Sequence, residues 1–146
     1  MDKVFHFDSP REHYAADACV ITCYDARFDQ VVPKFLKRRG IRKYDQVKIA
    51  GSAKALAAPE NDAQRDFVLS MVRVSMRLHH AGKVLLIGHA DCGGYGGAPS
   101  ETIVADLVRA AQVLLAAEPS LAVECYFADF DGIYQIGQPA AATISQ

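Results

Sequence analysis

Lys83-Val84-Leu85-Leu86-Ile87-Gly88-His89-Ala90-Asp91-Cys92-Gly93-Gly94 is the stretch on which the fold turns. Its apolar part, residues 83–88, reads as a strand, and the residues after it change abruptly to metal-binding and turn chemistry. Three other apolar runs, residues 18–23, 45–49 and 121–128, read the same way. Helical periods lie between them. Residues 30–39 stop at Gly40, which suits a helix C-terminus. Residues 63–81 open after Asn61-Asp62 as caps and stop at Gly82, with Phe67, Val68, Met71, Val72 and Leu78 in helical period and Ser75 as a small interruption. A third helix follows Ser100 as N-cap, with Ile103, Val104, Leu107, Val108, Ala111, Leu114 and Leu115 on one face and Pro119 just beyond its end.

Strands alternating with helices predict an α/β fold: a mostly parallel sheet of four strands with helices on both faces. Asp131-Gly132 is a hairpin turn signal, so residues 133–136 are expected to add an antiparallel edge strand. The 146 residues fit one domain, with residues 1–17 as an N-terminal arm and 138–146 as a loose tail.

Composition narrows the function classes. A hydrophobic share of 51% with 23% charged residues is that of a globular chain able to build a core. Lys and Arg number 16 against 17 acidic residues, a net charge of −1, which argues against nucleic acid as a partner. The start, Met1-Asp2-Lys3-Val4-Phe5, lacks an apolar signal core, and no run reaches the roughly 18 apolar residues of a membrane span. A cytoplasmic location with reduced thiols is the expectation, so Cys19, Cys23, Cys92 and Cys125 read as free thiols or ligands.

In an open α/β sheet, ligands bind beyond the carboxyl ends of the strands. Two such ends carry unusual residues: Cys23-Tyr24-Asp25-Ala26-Arg27 and His89-Ala90-Asp91-Cys92-Gly93-Gly94. If the first and third strands are neighbours, the two segments face each other. Extended alternation would set Cys23, Asp25 and Arg27 on one side. His89 and Cys92, across a turn, are close enough to hold one ion. Two thiolates and an imidazole suit Zn²⁺, and a three-ligand set leaves its fourth position open, as a catalytic zinc needs. Taken singly, each residue has a plainer reading: Cys23 as a small core residue, His89 as a satisfied strand-end histidine, Asp25 and Arg27 as a loop ion pair. Their convergence favours the metal.

The paired motifs, C-x-D-x-R at Cys23–Arg27 and H-x-x-C-G-G at His89–Gly94, resemble the β-class carbonic anhydrases. The resemblance implies sheet order 2-1-3-4, a homodimer, and Zn²⁺ on Cys23, His89 and Cys92 with Asp25 and Arg27 paired beside it. It implies a zinc lyase that hydrates CO₂ reversibly to bicarbonate, since zinc lowers the pKa of bound water to about 7. Asp25 would then orient the attacking hydroxide, and Gly93 and Gly94 would offer backbone N–H groups to bicarbonate. Released from Arg27, Asp25 could become a fourth ligand. Two departures stand out. Residues 1–17 are too few for the family's wrapping arm, and Ala50-Gly51-Ser52 replaces the usual Ala-Gly-Asn. A related zinc hydrolase acting on COS or CS₂, or a non-catalytic zinc domain closed by Asp25, are therefore the alternatives.

Other features read as structural. Gly93-Gly94-Tyr95-Gly96-Gly97 lacks the Lys-Ser/Thr of a phosphate loop. Cys19 and Cys125 are expected in the core. His79 and His80 suit a helix C-terminus, with a proton shuttle as the minor reading. Asp91 could orient His89 or Arg27, or cap a helix.

Overall fold

The computed structural model describes residues 1–137; the expected tail, 138–146, lies outside the described residues. Five strands form one sheet: β1 (Ala18–Thr22), β2 (Tyr44–Lys48), β3 (Lys83–His89), β4 (Ala122–Asp129) and β5 (Gly132–Ile136). Their order is β2-β1-β3-β4-β5, with β4 and β5 antiparallel and every other pair parallel, as expected. The helices are α1 (Val31–Arg38), α2 (Lys54–Ala57), α3 (Asp62–His79) and α4 (Ser100–Ala117), with short 3-10 turns at Ala26–Phe28 and Gly93–Tyr95.

Side-chain alternation along the strands divides the core in two. Val20, Leu85, Ile87, Tyr126 and Ala128 meet Phe28, Leu36 and Ile41 on the α1 face. Cys19, Ile21, Val84, Leu86, Val123, Cys125 and Phe127 meet α2, α3 and α4 on the other. β1 and nearly all of β3 are buried, which is why their sequences run apolar without alternation. β2 is an edge strand and carries Asp45, Gln46 and Lys48.

Several boundaries differ from the sequence reading for local reasons. The four-residue α2 is too short to show a period. Asn61 does cap α3, accepting from the Gln64 N–H at 3.0 Å, while Gln64 Oε1 accepts from the Glu60 N–H at 3.0 Å. His80, at φ +57°, ends that helix in the left-handed conformation expected of Gly82. Pro99, not Ser100, occupies the N-cap of α4. The hairpin forms, but its two loop residues are Phe130 and Asp131; Gly132 is already in β5, opposite Asp129. None of the three has a positive φ, so the turn is not the Asp-Gly type that needs one.

Gly88 is where α4 closes on the sheet. A Cβ there would lie 2.9 Å from Ile103 Cγ2 and 3.3 Å from Leu107 Cδ1. The absence of a side chain thus seats α4 against β3 one residue before His89.

At the amino end of the sheet, Asp45 accepts from the Tyr14 hydroxyl (2.5 Å), Ser75 Oγ (2.6 Å) and His79 Nδ1 (2.9 Å). Burial would raise the Asp45 pKa, but these three donors hold it below the usual carboxylate value. Asp45 pairs in register with Cys19, four residues before Cys23, or about 13 Å along the strand. His79 is therefore a structural partner at the end of the sheet opposite Cys23.

Candidate metal centre

β1 and β3 are parallel neighbours with Thr22 opposite Ile87, so their carboxyl ends emerge side by side. Cys23 follows β1 directly, half-buried. His89 closes β3, and the turn beyond it returns Cys92 to the same spot. The Cys23 and Cys92 sulfurs are 3.9 Å apart. One donor atom from each of Cys23, His89 and Cys92 lies within 4.8 Å of the others, a group that could hold a metal ion.

The histidine is oriented for it. His89 Nδ1 is 2.7 Å from the Ala90 carbonyl, so it carries the proton and donates. That leaves a lone pair on Nε2, which is buried and has no hydrogen-bond partner. A buried, orphaned imidazole nitrogen beside two sulfurs is a donor set that suits zinc, and a backbone carbonyl fixing the other nitrogen is the usual support of a ligating histidine. The ring of Phe28 packs on His89 with centroids 4.6 Å apart. Burial raises the Cys92 thiol, and N–H groups of Gly94 and Gly51 donating to its sulfur work the other way.

Asp25 and Arg27 come together by a different route from strand alternation. The chain turns after Cys23 into the 3-10 segment Ala26–Phe28, and Asp25 caps it by accepting the Arg27 N–H at 3.0 Å. The guanidinium then meets the same carboxylate, Nη2 to Oδ2 at 2.7 Å and Nε to Oδ1 at 3.0 Å. Those hydrogen bonds bring the Asp25 pKa down to about 2 and raise that of Arg27. Asp25 Oδ2 is also 3.9 Å from His89 Nε2. Asp91 neither caps a helix nor touches His89 through its side chain; it takes the Arg27 Nη1 at 3.0 Å.

Gly93 and Gly94 lie in the 3-10 turn Gly93–Tyr95, well ahead of α4, so they do not offer the N–H groups of a long helix. Gly94 is instead pressed on the loop after β2: a Cβ there would lie 2.6 Å from the Gly51 nitrogen. Lys54 Nζ clamps the contact by donating to the Gly94 carbonyl at 2.8 Å. Ser52 Oγ donates to the Ile21 carbonyl at 3.1 Å. The Ala50-Gly51-Ser52 loop is thus a support of the site. Phe28 and Phe130 were not signalled by the motifs; an aromatic inside a polar turn, Asp129-Phe130-Asp131, was the available sign.

A Cys–His–Cys group at the carboxyl edge of a β2-β1-β3-β4-β5 sheet, with an Asp–Arg pair at its side, defines the β class of carbonic anhydrase folds. Residues 14–136 match the family model described as "Putative carbonic anhydrase", and the chain belongs to that family. No curated protein matches the chain. Among solved structures it is similar to β-carbonic anhydrase isoform I of Trichomonas vaginalis, at 11% identity and TM-score 0.63, covering 91% of this chain and 88% of that one. It is similar also to a tetrameric β-carbonic anhydrase of Sordaria macrospora, at 15% identity and TM-score 0.61, covering 88% and 84%. The apo form of a carbon disulfide hydrolase aligns at 13% identity and TM-score 0.51, covering 91% and 85%. At these identities the structures establish the fold. Among the described residues no helix is long and apolar enough to cross a membrane.

Proposed function

We propose that this chain is a zinc lyase that hydrates CO₂ reversibly to bicarbonate. The observation that carries the reading is the orphaned His89 Nε2, converging with two cysteine sulfurs and facing an ionised carboxylate 3.9 Å away. Cys23, His89 and Cys92 would hold the metal, which when bound supplies Lewis-acid activation of water at neutral pH.

The protein's own groups do the rest. Asp25, kept ionised by Arg27, accepts a hydrogen bond from the attacking water and turns its lone pair toward the CO₂ carbon. The released proton goes to buffer. The N–H of Gly93, in an exposed turn, is the donor assigned to a bicarbonate oxygen; Gly94 is committed to Cys92. Phe28, stacked on His89, keeps the α1 side of the site apolar, which suits a small neutral substrate.

The family relationship supports a homodimer or larger assembly, and the exposed Val4, Phe5 and Phe7 of the arm are apolar surface for it. Cys23 and Cys92 can serve as thiolate ligands where thiols are kept reduced, and the cytoplasm is the compartment assigned on that ground.

Stopped-flow CO₂ hydration by the zinc-loaded chain between pH 7 and 9 tests the reading. A rate well above buffer is expected, and its loss in His89→Ala with the zinc. No rate across that range overturns it. Sulfide release from CS₂ or COS without CO₂ hydration would move the substrate to the sulfur analogues, as the resemblance to a carbon disulfide hydrolase allows.

A further inference from the structure

Arg27 is held from more sides than its partnership with Asp25 requires. Its Nη1 donates to Asp91 Oδ2 and its Nη2 to the Asp91 carbonyl, both at 3.0 Å. The ring of Phe130 covers it, with Cζ 5.3 Å from the ring centroid. Both holding residues are in unfavourable positions on their own account. Asp91 has φ +52°, in the left-handed region that disfavours side-chain-bearing residues, aspartate less than most. Phe130 is 62% exposed in a two-residue turn, where polar residues are the rule. Phe130 also leans on Phe28 at 5.6 Å, and Phe28 on His89 at 4.6 Å, so the cover is continuous with the metal centre.

What they hold in place matters because of where Asp25 sits. Its Oδ2, 3.9 Å from the ligating nitrogen of His89, is near enough that a small rotation would make the carboxylate a ligand. Among the described residues only Arg27 donates hydrogen bonds to it: two guanidinium nitrogens and the Arg27 backbone N–H bind the same carboxylate.

We propose that Asp91 and Phe130 are positioning residues that latch Arg27 in place, so that Asp25 stays turned from the metal and the fourth coordination position remains open. The latch rests on the Cys23–His89–Cys92 metal centre proposed above. Asp91 restrains the edge of the guanidinium and Phe130 its face; with both gone, Arg27 is free to follow solvent and Asp25 is free to close. Each contact is exposed and weak alone, so the effect is expected from the pair.

The test uses the full chain loaded with Co²⁺ in place of zinc and azide as the probe of the open position. Thiolate-to-cobalt charge-transfer bands report the metal centre, and azide binding is read from the shift of the cobalt ligand-field bands. Asp91→Gly fits the positive φ without strain, and Phe130 is exposed, so the variants retain the fold; far-ultraviolet circular dichroism verifies it. The double variant Asp91→Gly/Phe130→Ala is expected to bind azide about tenfold more weakly than the unaltered chain, a change of about 1.4 kcal/mol. Adding Asp25→Ala to it should restore azide binding, because nothing is left to close the site. The conservative pair Asp91→Asn/Phe130→Leu should fall between. Unchanged azide affinity in the double variant, or a loss that Asp25→Ala does not rescue, overturns the latch while leaving the metal centre standing. Absence of the charge-transfer bands in the unaltered chain overturns the metal centre and the latch together.

Discussion

At the scale of single residues, the pair Asp25–Arg27 sets the acid behaviour of the site. Arg27 lowers Asp25 to about 2, against about 3.9 in an unfolded chain. A depressed carboxylate stabilises the fold above its unfolded pKa, and that contribution is lost as pH falls through the folded one. Asp25 is thus ionised throughout neutral and mildly acid solution. The pH profile of CO₂ hydration by the zinc-loaded chain should show no limb from Asp25 above about pH 4, and Asp25→Asn should lower kcat/KM about 100-fold with the metal retained. Metal content and stopped-flow rates on the same sample measure both. The four thiols separate equally clearly. Burial pushes Cys19 and Cys125 up to about 11, so hardly any thiolate is present at pH 8. Iodoacetamide on the metal-free chain should alkylate half-exposed Cys23 first and leave Cys19 and Cys125 intact, and zinc should protect Cys23. Peptide mass mapping reads it. That Cys23 and Cys92 meet while Cys19 and Cys125 are buried in strands was legible in the sequence, because the first pair fell at strand ends and the others inside strands. Asp91 as a partner of Arg27 was one of several open readings, since nothing in a sequence tells which way a left-handed residue aims its side chain.

At the scale of elements, what was legible was whatever has a period. Four strands and the helices α1, α3 and α4 follow from apolar runs and spacing, and β5 from the Asp131-Gly132 turn signal, whereas α2 and both 3-10 turns have no period to show. The error that matters lay at Cys23–Arg27. Strand alternation predicts three side chains on one side, but the chain leaves β1 at Thr22 and turns, and the turn itself is what joins Asp25 to Arg27. Glycine positions connect packing to the site. Gly88→Ala would drive a methyl into Ile103 at 2.9 Å, an overpacking of about 1–3 kcal/mol. Because His89 is the next residue, the displacement should also weaken zinc binding. Asn61→Ala removes the α3 cap at about 1 kcal/mol, and α3 supplies none of the proposed ligands. Both variants should melt lower in a thermal scan; a chromophoric chelator competition should find zinc affinity reduced in Gly88→Ala alone. Equal affinities would mean that the α4–β3 seating does not transmit to His89.

At the scale of the whole molecule, the proposed metal centre sits at the rim of a structure that has a core of its own. Residues of β1, β3 and β4 are buried between α1 on one face and α2, α3 and α4 on the other. The amino end is closed separately by Asp45 with Tyr14, Ser75 and His79. A domain of about 150 residues buries roughly 68–70% of its unfolded surface without help from a metal. Small zinc modules differ: there, binding free energy is folding free energy, and the chelated chain is unfolded. The proposed ligands are placed by structure that stands without a metal: the ends of two paired strands, the Ala90 carbonyl on His89, and the Gly51–Gly94 contact behind Cys92. Chelation should therefore leave the far-ultraviolet spectrum and a cooperative melt intact. The melting temperature should drop, because a ligand that binds only the folded state stabilises it by mass action. Zinc added back should restore both the melt and the CO₂ hydration rate without a refolding step. A chelated chain that loses its helical signal would instead make the metal structural, and the closed, non-catalytic site would become the better account of why Cys23, His89 and Cys92 meet.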